Sequence, residues 1–215
     1  MRHKFLPSFV QRKGRITKYQ EKNLLSLPDY EISSFLEIQK AKNNFKKVIL
    51  EIGFGNGENV FKFANNNREN LYIGSEVYMA GIGQLLGGVI ANDLNNLKIV
   101  TDDIRLLLDE VKEPIFDHVV IICPDPWPKL KHHKRRMLNG NFLNLIHKTI
   151  KDDGHLFMST DWENYAESIE EAINQNEGFV KVKDSIYMEA SLTKFQQRAV
   201  KEGRKIYPFP LKKVS

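Results

Sequence analysis

Five short apolar runs alternate with amphipathic stretches along the chain. Each run is four to six residues long, and several are rich in β-branched residues, as is typical of buried strands. The runs are residues 47–52, 71–76, 97–100, 117–122 and 155–160. The amphipathic stretches, which indicate helices, are residues 58–66, 80–93, 104–111, 141–150 and 162–175. The repeated β-α-β order predicts an α/β fold with a mostly parallel, doubly wound sheet, whose ligands bind beyond the carboxyl ends of the strands.

The two ends of the chain lie outside this pattern. Residues 1–46 precede the first strand, and we expect a basic N-terminal arm and a helix there. Residues 47–215 are expected to form a single globular domain, because a chain of 215 residues with 41% hydrophobic content can bury one sizeable core. Residues after about 178 leave room for further strands, whose direction the pattern does not define.

The cysteine content and the lack of a long apolar segment indicate where in the cell the protein is located. The single cysteine, Cys123, excludes an internal disulfide framework and a cysteine-based metal cluster. The apolar stretch "FLPSFV" near the N-terminus is interrupted by Pro7 and Ser8 and is too short for a signal peptide or a membrane span. We therefore expect a cytoplasmic protein with no membrane contact.

Positive charge is concentrated in two places. The chain carries a formal net charge of +5, and residues 1–22 hold seven Lys or Arg side chains against one acid. The second cluster, residues 129–136, holds five Lys or Arg and two His with no acid. Clustered cations favour a polyanionic partner because they release counterions from dense phosphates. A solvated tail that only aids solubility is the alternative for the arm.

The first strand leads into a glycine-rich loop, "LEIGFGNGEN". Gly53, Gly55 and Gly57 occupy alternate positions, which indicates a backbone bent closely around a ligand. The spacing differs from that of the dinucleotide fingerprint. Glu51 and Glu58 flank the loop, and no Lys or Arg lies between residues 50 and 60, so a diphosphate would be poorly served. A ligand with ammonium and sulfonium groups would be attracted, which points to S-adenosylmethionine (SAM).

Acids also follow the second and third strands. Glu76 stands where a carboxylate can accept hydrogen bonds from ribose hydroxyls, and Asp102 and Asp103 are within reach of an adenine amino group. Each acid taken alone is more often a helix cap or a solvated side chain than a ligand contact. Their occurrence at successive strand ends, beside the glycine loop, predicts a bound nucleoside cofactor.

The fourth strand runs into "CPDPWPKLKHHKRRM", residues 123–137, which places Asp125 at a strand end. Here the sequence resembles the bacterial tRNA (guanine-N7-)-methyltransferase family (the TrmB family). The resemblance rests on this motif and on "LEIGFGNGE", "IGSEVYMAGIGQLL", "STDWENYAE", "TKFQQRA" and "FVQRKGRIT", in the order and approximate spacing of the family. It covers residues 8 to about 210.

The resemblance implies a Rossmann-like class I SAM-dependent methyltransferase fold without a metal. It also implies methyl transfer from SAM to N7 of a guanosine in the tRNA variable loop, at position 46 of the tRNA. The positions that match the family's cofactor-binding residues, with the two loop glycines, are Glu51, Gly53, Gly55, Glu76, Asp103 and Asp125; Asp125 also matches the proposed catalytic acid. Positions that match substrate-binding residues are Lys129, Asp161, Thr193, Lys194, Phe195 and Gln196. The family usually has Phe at position 123, and it often has Glu where Gln196 stands, which puts that contact in doubt.

The residues themselves fit this chemistry. Guanine N7 carries a free lone pair, so it can attack a sulfonium methyl group without losing a proton. Asp125 or Asp161 can accept hydrogen bonds from guanine N1–H and N2–H₂, which adenine does not present. Trp127 could stack on a base or be buried beneath the loop, and we do not count it as a site residue. The expected tRNA phosphate contacts are Lys131, Lys134, Arg135 and Arg136.

Three alternatives remain open on the residues alone. Cys123 could be a nucleophile for methylation of a pyrimidine carbon, although no neighbouring base is identifiable. "DPWP" is similar to the motif of exocyclic amine methyltransferases. The chain could also be an RNA-binding scaffold with a relict cofactor pocket.

The histidines are scattered or adjacent, so we expect no metal site. No obligate protein partner is evident, and the sequence leaves monomer and homodimer open.

Overall fold

The computed structural model describes residues 5–10, 14–183, 185, 187 and 193–214, except for the side chains of Lys194 and Phe195. The chain divides into two compact units. One comprises Gln11–Val111, and the other comprises Met1–Val10 with Lys112–Ser215. The expectation of one globular domain over residues 47–215 stays a prediction.

The unit of residues 11–111 is built on three parallel strands. The strands are β1 (Val48–Ile52), β2 (Leu71–Ser75) and β3 (Leu97–Val100). Its helices are α1 (Lys18–Leu24), α2 (Leu27–Tyr30), α3 (Phe35–Lys42), α4 (Glu58–Asn66), α5 (Met79–Ala91) and α6 (Ile104–Glu110). Leu50 of β1 pairs with Ile73 of β2, and both side chains are fully buried. Every residue of β1 and β2 is buried, as expected for central parallel strands.

The segment before β1 contains three short helices, where the sequence analysis expected one. Thr17 and Ser34 each close a capping box, at the first turns of α1 and α3 respectively. Between α2 and α3, Glu31 forms a parallel bridge with Ile99 of β3, and the amide of Ile32 donates to the Ile99 carbonyl at 2.9 Å. This segment therefore runs along β3 as part of the unit.

The unit of residues 112–215 contains the other four strands. They are β4 (Phe116–Ile122), β5 (Ile150–Thr160), β6 (Phe179–Lys181) and β7 (Tyr207–Lys213). Its helices are α7 (Gly140–Thr149), α8 (Glu163–Asn174) and α9 (Lys194–Lys201), with a 3-10 helix at Leu130–Arg135. β4 and β5 are parallel, whereas β7 is antiparallel to both β5 and β6. The pattern left the direction of the last strands open: β7 runs opposite to β5, whereas β6, being antiparallel to β7, runs in the same direction as β5.

The strands of residues 11–111 lie in the order β3-β2-β1, and those of residues 112–215 lie in the order β4-β5-β7-β6. The five strands and five helices expected from the apolar pattern are present, with ends within two residues of their predicted positions except at the start of β5, which begins five residues earlier. The predicted class, a mostly parallel α/β sheet with flanking helices, is confirmed. Within the described residues, no helix has both the length and the apolar character needed to cross a bilayer.

Candidate functional site

The glycine loop joins β1 to α4 and is bent as expected. Gly53, Gly55 and Gly57 have φ values of +73°, +60° and +81°, in the left-handed region that favours glycine. Gly57 is the N-cap of α4. A Cβ atom added to Gly81 of α5 would lie 2.0 Å from the Gly55 carbonyl oxygen, so the loop and the start of α5 are in close backbone contact. The prediction of a tightly bent loop is confirmed.

Glu51 lies at the end of β1, directly before this loop. It is only 5% exposed, and burial raises the pKa of its carboxyl to about 8. Among the described residues no cation offsets this desolvation. A buried carboxylate is strongly stabilised by an opposite charge, so a ligand with an ammonium group fits this position and a diphosphate does not. The buried Glu51 carboxyl beside the glycine loop therefore fits the ammonium group of SAM.

Glu76 follows β2 and its carboxylate is held by three backbone amides. One oxygen accepts from Gly55 at 2.8 Å, and the other accepts from Val77 at 2.7 Å and Tyr78 at 3.0 Å. The side chain thus ties the end of β2 to the glycine loop, which fixes the orientation of the carboxylate. Its predicted contact with ribose hydroxyls stays a prediction.

Asp103 follows β3 and is the N-cap of α6. One carboxylate oxygen accepts from the backbone amide of Arg105 at 3.1 Å and from its Nε at 2.9 Å, while the other lies 2.5 Å from Arg105 Nη2. Asp103 is therefore a helix cap, as the alternative interpretation held, and both of its carboxylate oxygens contact Arg105. The predicted contact of Asp103 with adenine stays a prediction, whereas its neighbour Asp102 is exposed.

The loop after β4 has a strained backbone. Cys123 and Trp127, on either side of Asp125, have φ values of +47° and +45°, which cost energy for residues other than glycine. The Trp127 indole donates to the Ser8 carbonyl at 2.9 Å, and the Arg135 guanidinium lies 4.8 Å from its ring centroid. The half-buried indole thus makes a hydrogen bond at its edge and a cation–π contact on its face. These contacts favour a structural role for Trp127 over base stacking.

The basic run that follows is not uniform. Lys129, Lys131 and Lys134 are exposed on the 3-10 helix or at its start, whereas Arg135 is half-buried against Trp127. Arg136 is only 6% exposed. Its guanidinium donates to protein acceptors, so Arg136 does not fit the phosphate contact that the sequence analysis predicted. The phosphate contacts of the other basic residues stay predictions.

Asp161 follows β5 and forms an ion pair that the sequence did not reveal. Its carboxylate lies 3.0 Å from Nη1 of Arg204, and the Asp161 side chain is 14% exposed. Arg204 also binds Glu202 at 2.7 Å. Burial and the charge of Asp161 raise the pKa of the Cys123 thiol to about 12. No local pattern marked Arg204, because it is one cation in an irregular segment before β7.

Thr193 and Gln196 form the N-terminal cap of α9. The Thr193 hydroxyl accepts from the Gln196 amide at 3.2 Å, and Gln196 Oε1 accepts from the Thr193 amide at 2.9 Å. A glutamine keeps the acceptor oxygen that this capping box needs, so the departure from the family's Glu leaves the box intact. The predicted substrate contacts of Lys194 and Phe195 concern side chains that lie outside the described part of the chain.

No group of three His, Cys, Asp or Glu side chains that could hold a metal ion occurs in the part of the chain that the structure describes.

The fold is similar to solved RNA methyltransferases. The 16S rRNA methyltransferase KamB aligns with a TM-score of 0.64 at 13% identity, over 86% of this chain and 95% of its own. A 16S rRNA (adenine(1408)-N(1))-methyltransferase of Catenulisporales acidiphilia, solved with its cosubstrate SAM, aligns with a TM-score of 0.58 at 15% identity, over 83% of this chain and 91% of its own. At these identities the likeness shows the fold alone.

Sequence relatives are more specific. The Methyltransf_4 family model, which describes a methyltransferase, matches residues 45–209. A tRNA (guanine-N(7)-)-methyltransferase of Nitrosococcus oceani is 36% identical, over 97% of this chain and 91% of its own length. The enzyme of the same name from Wolbachia pipientis wMel is 38% identical, over 84% of this chain and 81% of its own. The chain therefore belongs to the tRNA (guanine-N7-)-methyltransferase family.

Proposed function

We propose that this protein transfers the methyl group of SAM to N7 of a guanosine in the variable loop of tRNA. The observation that carries the proposal is the match to tRNA (guanine-N(7)-)-methyltransferases over nearly the whole chain, including the loop around Asp125. The SAM cosubstrate named for the Catenulisporales acidiphilia relative supports the choice of cofactor.

Residues around the glycine loop would hold the cofactor. Glu51 would bind its ammonium group, because this carboxylate is buried and lacks an offsetting cation among the described residues. Glu76, oriented by three backbone amides, would accept from the ribose hydroxyls. When bound, SAM supplies a methyl group activated by its bond to a positively charged sulfur.

Asp125 and Asp161 are the residues we assign to guanine. A carboxylate can accept from N1–H and N2–H₂ together, which contributes roughly 1–3 kcal/mol of base discrimination if the contact resembles other good bidentate pairs. With the base held, N7 would be oriented to accept the methyl group, and the sulfur of SAM would keep the electrons of the carbon–sulfur bond. Positive charge passes to the guanine ring and no proton leaves, so the reaction requires orientation and charge rather than a general base.

The exposed lysines of the basic run, Lys129, Lys131 and Lys134, would contact phosphates of the tRNA. Such contacts position the RNA without reading its sequence. Base recognition would then depend on the carboxylates.

The direct test is methyl transfer from isotope-labelled SAM to tRNA, followed by nucleoside analysis. We expect 7-methylguanosine as the product, and no transfer to a tRNA whose variable-loop guanosine is replaced by adenosine. A methylated exocyclic amine would instead identify the enzyme as an amine methyltransferase. Binding of tRNA without any transfer would overturn the enzymatic assignment.

A further inference from the structure

Arg136 belongs to the basic run by sequence but to the protein interior by structure. Its Nε donates to the Pro126 carbonyl at 3.0 Å, directly after Asp125. Its Nη2 donates to Asn164 Oδ1 at 3.0 Å, and its Nη1 donates to Ser168 Oγ at 3.2 Å and to the Asn164 carbonyl at 3.4 Å. One guanidinium therefore joins the loop after β4 to helix α8.

The ring of Tyr165 forms one wall of this site. The Arg136 guanidinium lies 4.8 Å from the Tyr165 ring centroid, a cation–π distance, and the Tyr165 hydroxyl accepts from the Leu138 amide at 2.8 Å. Tyr165 is fully buried. The side chain of Arg136 is thus held by the first turns of α8 and cannot turn to solvent without losing these contacts together.

The charges of Arg136 and Asp125 both act on the ionisation of Tyr165. Burial raises the pKa of Tyr165, the charge of Arg136 lowers it, and the charge of Asp125 raises it further. Asp125 and Arg136 are therefore both within electrostatic range of one buried hydroxyl. Desolvation in turn lowers the pKa of Arg136, which remains a cation at neutral pH.

We propose that Arg136 is a positioning residue, which fixes the loop of Asp125 against the helix that begins two residues after Asp161. The proposal rests on the proposed function, because Asp125 and Asp161 are the carboxylates assigned to guanine. Methyl transfer requires the nucleophile to be held in line, and a misplacement of about 1 Å can lower a rate about 10²-fold. Cys123 and Trp127 hold strained backbone conformations on either side of Asp125, and such strain persists only where surrounding contacts enforce it.

A lysine cannot reproduce this role. Its single ammonium group lacks the planar set of donors that reaches Pro126, Asn164 and Ser168 at once. Arg136→Lys therefore keeps the charge of the basic run and removes the geometry, which separates positioning from phosphate binding.

The experiment compares Arg136→Lys with Lys134→Ala, an exposed member of the same run, and with Lys148→Ala, an exposed lysine on α7. For Arg136→Lys we expect the single-turnover rate at saturating tRNA and SAM to fall at least tenfold, with tRNA affinity and its salt dependence changed little. For Lys134→Ala we expect weaker tRNA binding and a shallower salt dependence, because a phosphate contact contributes about 0.9 to that slope. Lys148→Ala should behave as the wild type.

A double-mutant cycle distinguishes positioning from general loss of structure. If Arg136 acts through Asp125, Arg136→Lys should lower the rate much less in the Asp125→Asn background than in the wild type. Equal effects in both backgrounds would overturn the proposal. So would a wild-type rate for Arg136→Lys, or a reduced salt slope like that of Lys134→Ala.

Folding and function are controlled separately. SAM affinity and the thermal unfolding of Arg136→Lys show whether the variant is folded, and Asn164→Ala, which removes one acceptor of Arg136, provides a second and milder variant with the same expected direction. Failure of the wild type to methylate tRNA would overturn the proposed function. An active wild type with unaffected variants would overturn only the role of Arg136.

Discussion

The carboxylate of Glu76 accepts a hydrogen bond at 2.8 Å from the backbone amide of Gly55. The acid that would bind the cofactor's ribose is therefore also an anchor of the glycine loop. Replacing Glu76 should weaken cofactor binding in two ways. It removes the ribose contact, and it releases the glycine loop from the Gly55 hydrogen bond.

We expect Glu76→Gln to weaken SAM binding about tenfold or more. With its oxygen facing Val77 and Tyr78, the glutamine would point its NH₂ group at the Gly55 amide, and an unsatisfied buried donor costs about 1–3 kcal/mol. Calorimetric titration with SAM measures the effect. Glu69→Gln, an exposed acid of the same unit, is the control for charge. Unaltered affinity in Glu76→Gln would contradict the assignment.

Glu51 predicts a pH-dependent stability. Its folded pKa of about 8 lies above the ordinary value of 4.5, so the folded protein favours the protonated form. This contribution is fully present below about pH 4.5 and is lost as the pH rises through about 8. Glu51→Gln cannot ionise, so its melting temperature should exceed that of the wild type by a margin that grows from pH 5 to pH 8.5.

The same substitution should also weaken the binding of SAM. SAM should raise the melting temperature of the wild type more than that of Glu51→Gln, because only the wild type offers a carboxylate to the ammonium group. Differential scanning calorimetry with and without SAM measures both effects. A margin independent of pH would exclude Glu51 as the titrating group.

The basic run predicts a salt-dependent affinity. Replacing Lys129, Lys131 and Lys134 together with Ala should reduce the slope of log K against log[salt] for tRNA by roughly 2–3 units, at about 0.9 per duplex phosphate contact. Filter binding or fluorescence titration at several salt concentrations gives the slope. Lys148→Ala with Lys201→Ala, at two exposed helical positions, shows how much the slope changes when positive charge is lost elsewhere on the surface. The same slope in both variants would mean that the run is only a solvated surface.

Asp125 should matter more for methyl transfer than for binding. Asp125→Asn keeps the shape but turns one acceptor into a donor that faces the donors of guanine. We expect the single-turnover rate at saturating tRNA and SAM to fall at least about tenfold, or 1.4 kcal/mol. Cofactor affinity should change much less. Glu177→Gln, exposed on the same unit, should retain the wild-type rate, and a wild-type rate for Asp125→Asn would leave Asp161 as the better candidate.

Cys123 should be chemically inert. Burial and the charge of Asp161 raise its thiol pKa to about 12, so almost none of it is thiolate at pH 8. Its alkylation by iodoacetamide at pH 8 should be much slower than that of free cysteine, and should accelerate only on unfolding. Cys123→Ser should retain methyl transfer. Loss of methyl transfer in this variant, with its fold intact, would support the alternative in which Cys123 is the nucleophile.

Strands β1 and β2 were predictable from the sequence because their burial is continuous. All residues of β1 and β2 are buried, so these segments stand out as mainly apolar runs, with Glu51 and Ser75 near their ends. The glycine loop was equally visible, since three alternate glycines favour the positive φ values that Gly53, Gly55 and Gly57 adopt. Local chemistry in these cases determines local structure.

Tertiary contacts decided what the sequence could not show. Arg136 looks like its neighbours in the basic run, and only the packing of α8 distinguishes it. The partner of Asp161, Arg204, lies 43 residues further along the chain in a segment without periodicity. The cap of α9 was a missed local signal, because Thr193 followed three residues later by Gln196 is a capping-box spacing.

The bridge from Glu31 and Ile32 to Ile99 has a consequence for solubility. β3 is the last strand on its side of the sheet, and an open strand edge is a template for pairing with other chains. The segment between α2 and α3 occupies that edge with the chain's own backbone, and Lys98 beside it donates to the Asp29 carbonyl. A chain shortened to begin at residue 47 would expose the Ile99 carbonyl and its neighbours, and we expect it to aggregate more readily than the longer chain.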